Sequence, residues 1–111
     1  MVKLLSKAVV TSVGLVLILS GCISPYKRAT GPIELNPGVE QGLRQWASKI
    51  NPRTFAVTPD GNGYGASYCP EVVCSGHEEA IALYSCEEKS KEGCMIYAHE
   101  GKYVWNGEKV E

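Results

Sequence analysis

Two histidines among 111 residues leave this chain with few general bases. Its cysteines nowhere stand at the C-x-x-C spacing that zinc sites and thiol-redox motifs use. Neither sign of charge is in excess: the formal net charge is −1, which excludes electrostatic capture of nucleic acid as its task. A phosphate-cradling loop is absent as well, because the one glycine-rich candidate, GNGYG at residues 61–65, joins two β-patterned runs and opens no helix. His77 falls in a first helical turn and His99 beside a hairpin turn, neither with a positioned nucleophile to serve. On these counts no catalytic residue, no metal site and no cofactor is expected, and the chain reads as non-enzymatic.

Long hydrophobic runs are missing too, except one near the start. AVVTSVGLVLIL at residues 8–19 follows Lys3 and Lys7 and ends in small residues, the architecture of a secretory signal peptide. It falls short of the about 20 apolar residues a membrane span requires, and Pro25, Tyr26, Lys27 and Arg28 follow too soon. The run closes with Leu19-Ser20-Gly21-Cys22, which resembles the lipobox of bacterial lipoproteins. That resemblance implies cleavage before Cys22, a diacylglyceryl group on its thiol, and acylation (palmitate or a similar chain) of the new amino terminus. Each buried methylene contributes about 0.8 kcal/mol, so two or three acyl chains hold a protein at a membrane where one does not. Ile23 after that cysteine, in place of Asp, resembles outer-membrane sorting in Gram-negative bacteria, with the domain facing the periplasm. A Gram-positive source would put the domain at the cell surface instead. Removal of residues 1–21, the signal peptide, takes Lys3 and Lys7 and no acid, so the remaining chain is the more acidic.

Residues 22–36 hold Cys22 and a stretch with Pro25, Gly31, Pro32 and no apolar period, expected to be a flexible tether. Lys27 and Arg28 there lie within reach of anionic headgroups. Residues 37–111 are expected to fold as one small domain. Asn36 offers an N-cap and Pro37 a first-turn residue to a helix with Val39, Leu43, Trp46 and Ile50 on one face. After Asn51-Pro52 the period becomes two. Phe55 and Val57 share a face, PDGNG at 59–63 makes a turn, and Tyr64, Ala66 and Tyr68 share a face on the return strand. Ser75 with Glu78 is a capping-box signature, opening a helix with Ala80, Leu83 and Tyr84 on one side, and Gly93 is placed to end the turn that follows. A second hairpin about Glu100-Gly101 sets Ile96 opposite Trp105, Ala98 opposite Tyr103 and, on the other face, Tyr97 opposite Val104. The first set is the core candidate, and Tyr97 with Val104 is the exposed pair unless the first helix covers it. The expected fold class is α+β, a small antiparallel sheet of two hairpins with a packed helix (ββαββ), preceded by an N-terminal helix.

Several of these features recur together in a known domain. The run Ala56-Val57-Thr58-Pro59-Asp60-Gly61, then Gly63-Tyr64-Gly65, then Glu78-Glu79-Ala80, Cys86, Gly93 and Cys94 resembles a small secreted bacterial domain labelled domain of unknown function 4189. The resemblance covers about half the chain, implies this fold, and brings no activity with it. CPEVVCS at residues 69–75 departs from the pattern and reads as an elaboration of the strand-to-helix loop.

With Cys22 assigned to the anchor, Cys69, Cys74, Cys86 and Cys94 remain, an even number outside the cytosol and hence disulfide partners in one of three connectivities. Cys86 with Cys94 and Cys69 with Cys74 is the favoured one, because each pair lies within one chain reversal. A domain this small is marginal without such staples. The stapled loop, Pro70, Glu71, Val72 and Val73, together with Tyr97, is the candidate interaction surface. The expected function is a lipid-anchored envelope lipoprotein serving as a binding or structural module, its partners the membrane through Cys22 and another envelope protein or the cell wall. The alternative is thiol-disulfide exchange through Cys69 and Cys74, for which Cys74 has one qualification, its place just before a helix start.

Overall fold

The computed structural model describes residues 26–71 and 73–111. The signal sequence, Cys22 and Val72 lie outside the described residues. Six elements follow in order: α1 Pro37–Ala47, β1 Pro52–Val57, β2 Tyr64–Tyr68, α2 Glu78–Ser90, β3 Met95–His99 and β4 Lys102–Tyr103. The strands form one sheet in the order β2-β1-β3-β4, with every neighbouring pair antiparallel. Four antiparallel strands and two helices make the class α+β, as the sequence pattern required.

The two helices lie on opposite faces of the sheet. Along β1 the side chains alternate: Phe55 and Val57 pack with Val39, Leu43 and Trp46 of α1, while Ala56 packs with Ala82, Leu83 and Cys86 of α2. Tyr64 of β2 joins the first layer and stacks on Phe55, ring centroids 5.0 Å apart. Gly65 belongs to the second, where its α-carbon is pressed against the α2 backbone at Ala82 and Cys86. The sheet is thus the middle of three layers, and each of its faces buries its own set of apolar side chains.

Local chemistry sets the element ends. The Asn36 side chain accepts from Val39 N at 2.8 Å, so it caps α1 as expected, but the helix stops at Ala47 and leaves Ile50 76% exposed. Thr58 donates to Asp60 Oδ1 at 2.6 Å and accepts from Asn62 N and Gly63 N, which closes the β1–β2 turn. The Thr58 hydroxyl first, and then the Asn62 N–H, hold the Asp60 carboxyl below its ordinary range. Helix α2 ends on Lys91 in the left-handed region at φ 62°, a place usually taken by glycine, and Gly93 lies in the short turn that leads into β3. Its buried side is Glu78, Ala82, Leu83 and Cys86, so Tyr84, expected inward, faces out.

The second hairpin departs from expectation beyond its turn. Glu100 and Gly101 both take positive φ and join His99 to Lys102, and Ala98 does oppose Tyr103. The strand then breaks after Tyr103, and Trp105 folds over to stack on Tyr103 at 4.7 Å. Arg28 takes the place opposite Ile96: Ala29 N donates to Ile96 O at 2.8 Å and Ile96 N to Lys27 O at 2.9 Å. Residues 27–36 are therefore bound to the domain. Arg28 pairs with Glu79 at 2.7 Å, Ala29 is buried, Ile33 and Leu35 pack on the α1 layer, and Asn36 N bonds Gly61 O. At the other margin Tyr103 N bonds Glu108 O and Val110 N bonds Gly101 O, so the C-terminal residues cover β4.

Candidate functional site

The loop after β2 is built on Asn51. Its carbonyl accepts from Cys69 N at 3.1 Å and its side-chain amide donates to Cys69 O at 3.0 Å, while its own backbone sits in the left-handed region at φ 52°, which asparagine tolerates. Cys69 and Cys74 form one disulfide, with α-carbons 5.9 Å apart, and Cys86 and Cys94 form the other. The first closes the loop over Pro70, Glu71 and Val73; the second ties the end of α2 to the start of β3. Past Cys74 the chain turns through Ser75, whose hydroxyl accepts from His77 N and donates to Glu78 Oε2 at 3.3 Å. The expected capping box is therefore set before the helix, and His77, the residue at the cap, makes no side-chain cap bond. The Glu78 carboxyl is held below the usual carboxylate range by its own backbone N–H first, with the Gly76 N–H, the Ser75 hydroxyl and Arg53 adding and burial opposing.

Between this loop, the margin of β2 and α2 runs a groove of about 600 Å³, walled by Tyr68, Val73 and Ile81 and containing Glu71 and Glu78. Val73 on its wall is 83% accessible, and Tyr84, one helical turn beyond Ile81 on α2, is 68% accessible. Lys49 stands 5.4 Å from the Tyr68 ring centroid on the outer side. Tyr68, Val73, Ile81 and Tyr84 are exposed large apolar side chains on and beside a covalently closed loop, a grouping more distinctive than single exposed residues, which are ordinary.

The other candidate residues divide. Tyr97 is 4% exposed, and its hydroxyl meets Ile33 N and Ile33 O, each at 3.2 Å; the α1 layer and residues 27–36 cover it, so it is removed from the surface. His99 is drawn into the clamp on residues 27–29, with Nδ1 at 3.0 Å from the Thr54 hydroxyl and 3.9 Å from Glu79. The sulfurs of Cys69 and Cys74 and a Glu78 oxygen lie within 4.8 Å of one another, yet the bridge leaves neither sulfur as a thiolate for a metal. Glu71 Oε1 sits 3.9 Å from Cys69 Sγ and the Asn51 amide 3.6 Å from Cys74 Sγ. Of the apolar residues here, Tyr68 and Tyr84 are expected from the sequence to point inward and are instead exposed, and Ile81 carries no signal of its own in the sequence; the alternation places Tyr68 on the α1 face, but only the end of the sheet tells that it stays half-exposed there.

Burial orders the two bridges in reactivity. Cys86 is wholly buried and Cys94 nearly so, whereas Cys74 is part-exposed, and exchange requires access to a sulfur. On titration of the folded protein with dithiothreitol, alkylation is expected to label Cys69 and Cys74 at lower reductant than Cys86 and Cys94. Equal or inverted labelling would show that the loop does not expose its bridge. Comparison with models of protein families, with curated proteins and with solved structures returned no match to this chain.

Proposed function

We propose that this chain is a lipid-anchored lipoprotein of the cell envelope, with the Leu19-Ser20-Gly21-Cys22 sequence as its lipobox and Cys22 as the acylated residue. Its folded part, a ββαββ unit with a helix before it, acts as a binding module and holds another envelope protein against the stapled loop. The observation that supports this reading is that Lys27, five positions after Cys22 in the chain, is bonded at the end of the sheet opposite the patch. Lys27 is already bonded to Ile96, beside Met95 at the start of β3. Five α-carbon steps separate it from Cys22 and span no more than about 18 Å, so an anchor there keeps that end of the sheet near the bilayer. Val57 of β1 pairs with Met95 at the same end, while Pro52 pairs with Tyr68, from which the stapled loop springs. The patch thus stands roughly 17 to 20 Å farther out, the length of a strand. An apolar surface held away from lipid, in water, has a protein as its natural partner.

The test has two parts. Cys22→Ser is expected to abolish incorporation of labelled palmitate and to move the protein from the membrane fraction to the soluble one. A benzophenone side chain placed at Val73 or Tyr84 in cells is expected to capture one defined envelope protein that the same label at Lys91 does not, with Ile81→Asp removing the adduct. Capture of nothing above background, or of the same set from all three positions, would end the binding-module reading.

A further inference from the structure

We infer that the groove beside the stapled loop takes its partner as an extended peptide strand, added to the free margin of β2 and carrying a basic residue. The inference rests on the binding-module reading and names the kind of partner. Its first support is the state of the sheet edges. Residues 27–29 and β4 together cover β3, and residues 108–110 cover β4, so among the described residues β2 is the margin left without a neighbour. Gly63 O accepts from Thr58 N, and the antiparallel alternation then turns Gly65 and Ser67 toward β1 and the N–H and C=O of Tyr64 and Ala66 outward. A row of unpaired backbone donors and acceptors has one complementary shape, another extended backbone.

Natural edges are blunted by charge, proline or a covering segment. Tyr64-Gly65-Ala66-Ser67-Tyr68 has neither charge nor proline, and the groove beside it is lined by the apolar residues Val73 and Ile81. Charge supplies the second support. The two charged residues lining the groove are both acids, Glu71 and Glu78, and Glu78 is held ionised by the bonds described above. An added strand presents side chains alternately to the two faces. The groove along that margin is lined by Ile81 and the two carboxylates, so the peptide expected there alternates an apolar residue with Lys or Arg.

Selection of displayed random nonapeptides on the full chain in detergent provides the test. Enriched peptides are expected to carry Lys or Arg flanked at alternate positions by Val, Ile or aromatic residues. Ala66→Pro removes one outward N–H at a position where an edge strand accepts proline, and is expected to weaken binding of the selected peptides roughly tenfold. Glu71→Lys, a substitution on the exposed loop that leaves the fold intact, is expected to shift the selection from basic toward acidic peptides. Enriched peptides without basic residues, binding unchanged by Ala66→Pro together with an unshifted selection on Glu71→Lys, or a chain whose β2 margin is already occupied by a second copy, read as a doubled mass on sedimentation, would each overturn the proposal. The crosslinks from Val73 and Tyr84 are read independently, so loss of the strand mode leaves the binding module standing.

Discussion

Gly65→Ala is expected to destabilise the domain by about 3 kcal/mol or more, the upper part of the range for overpacking a closed core. A β-carbon at this position would meet the carbonyl oxygen of Ala82 and the backbone nitrogen of Cys86. Both are main-chain atoms of α2, so no rotamer change can move them aside. The helix cannot drift outward cheaply either, because Cys86 is tied to Cys94 at the head of β3 and Ser67 Oγ donates to Glu78 O at 2.8 Å on the same face. Denaturant unfolding of the oxidised protein, followed by far-UV circular dichroism, measures the loss. Gly93→Ala is the control: a β-carbon there meets nothing within 4 Å and the backbone is not left-handed, so its effect is expected within about 0.5 kcal/mol. A Gly65→Ala protein as stable as the control would mean that α2 does not sit on β2 in this way.

Phe55→Ala is expected to remove about 3 to 5 kcal/mol, a large share of the 5 to 15 kcal/mol that holds a typical domain folded. Phe55 is the centre of the α1 layer, with no exposed surface and with its ring 5.6 Å from that of Trp46 and 5.0 Å from that of Tyr64. Truncation leaves a void bounded by β1 on one side and α1 on the other. The α1 side is held by the Trp46 indole, whose Nε1 donates to Ser67 O at 2.8 Å, so collapse into the void would break a buried hydrogen bond. Phe55→Leu keeps most of the volume and is expected to cost less than half as much. Equilibrium unfolding monitored by tryptophan fluorescence separates the two, and near-equal losses would contradict a tightly packed aromatic layer.

The parts of the fold that sequence made legible are those governed by neighbours along the chain. Asn36-Pro37 writes a helix start, Thr58 to Gly63 a turn closed by its own side chains, and Glu100-Gly101 a two-residue reversal. Cys86 and Cys94 are close enough in sequence to pair across the reversal between α2 and β3. The proposed interaction surface is legible in half. CPEVVCS announced a covalently closed loop, but the apolar wall opposite it comes from Tyr68 and from Ile81, which lie on different elements and carry no shared motif.

What sequence could not supply is where an apolar or charged side chain finds its partner when that partner is distant. Tyr97 reads as exposed unless the first helix covers its face, and it is core because α1 and residues 27–36 do cover that face. Arg28, expected within reach of anionic headgroups, is bonded to Glu79, fifty-one positions away. By itself, then, the amino-acid sequence determined the α+β class, the hairpin turns, the helix cap at Asn36 and a cysteine set suited to two short bridges, since each depends on contacts within a few residues. Only the tertiary structure decided that the helices lie on opposite faces, that residues 27–29 rather than Trp105 pair with Ile96, and that β2 keeps an open margin. Those outcomes turn on which of several chemically equivalent long-range pairings buries the most apolar surface while leaving the fewest backbone groups without a bond.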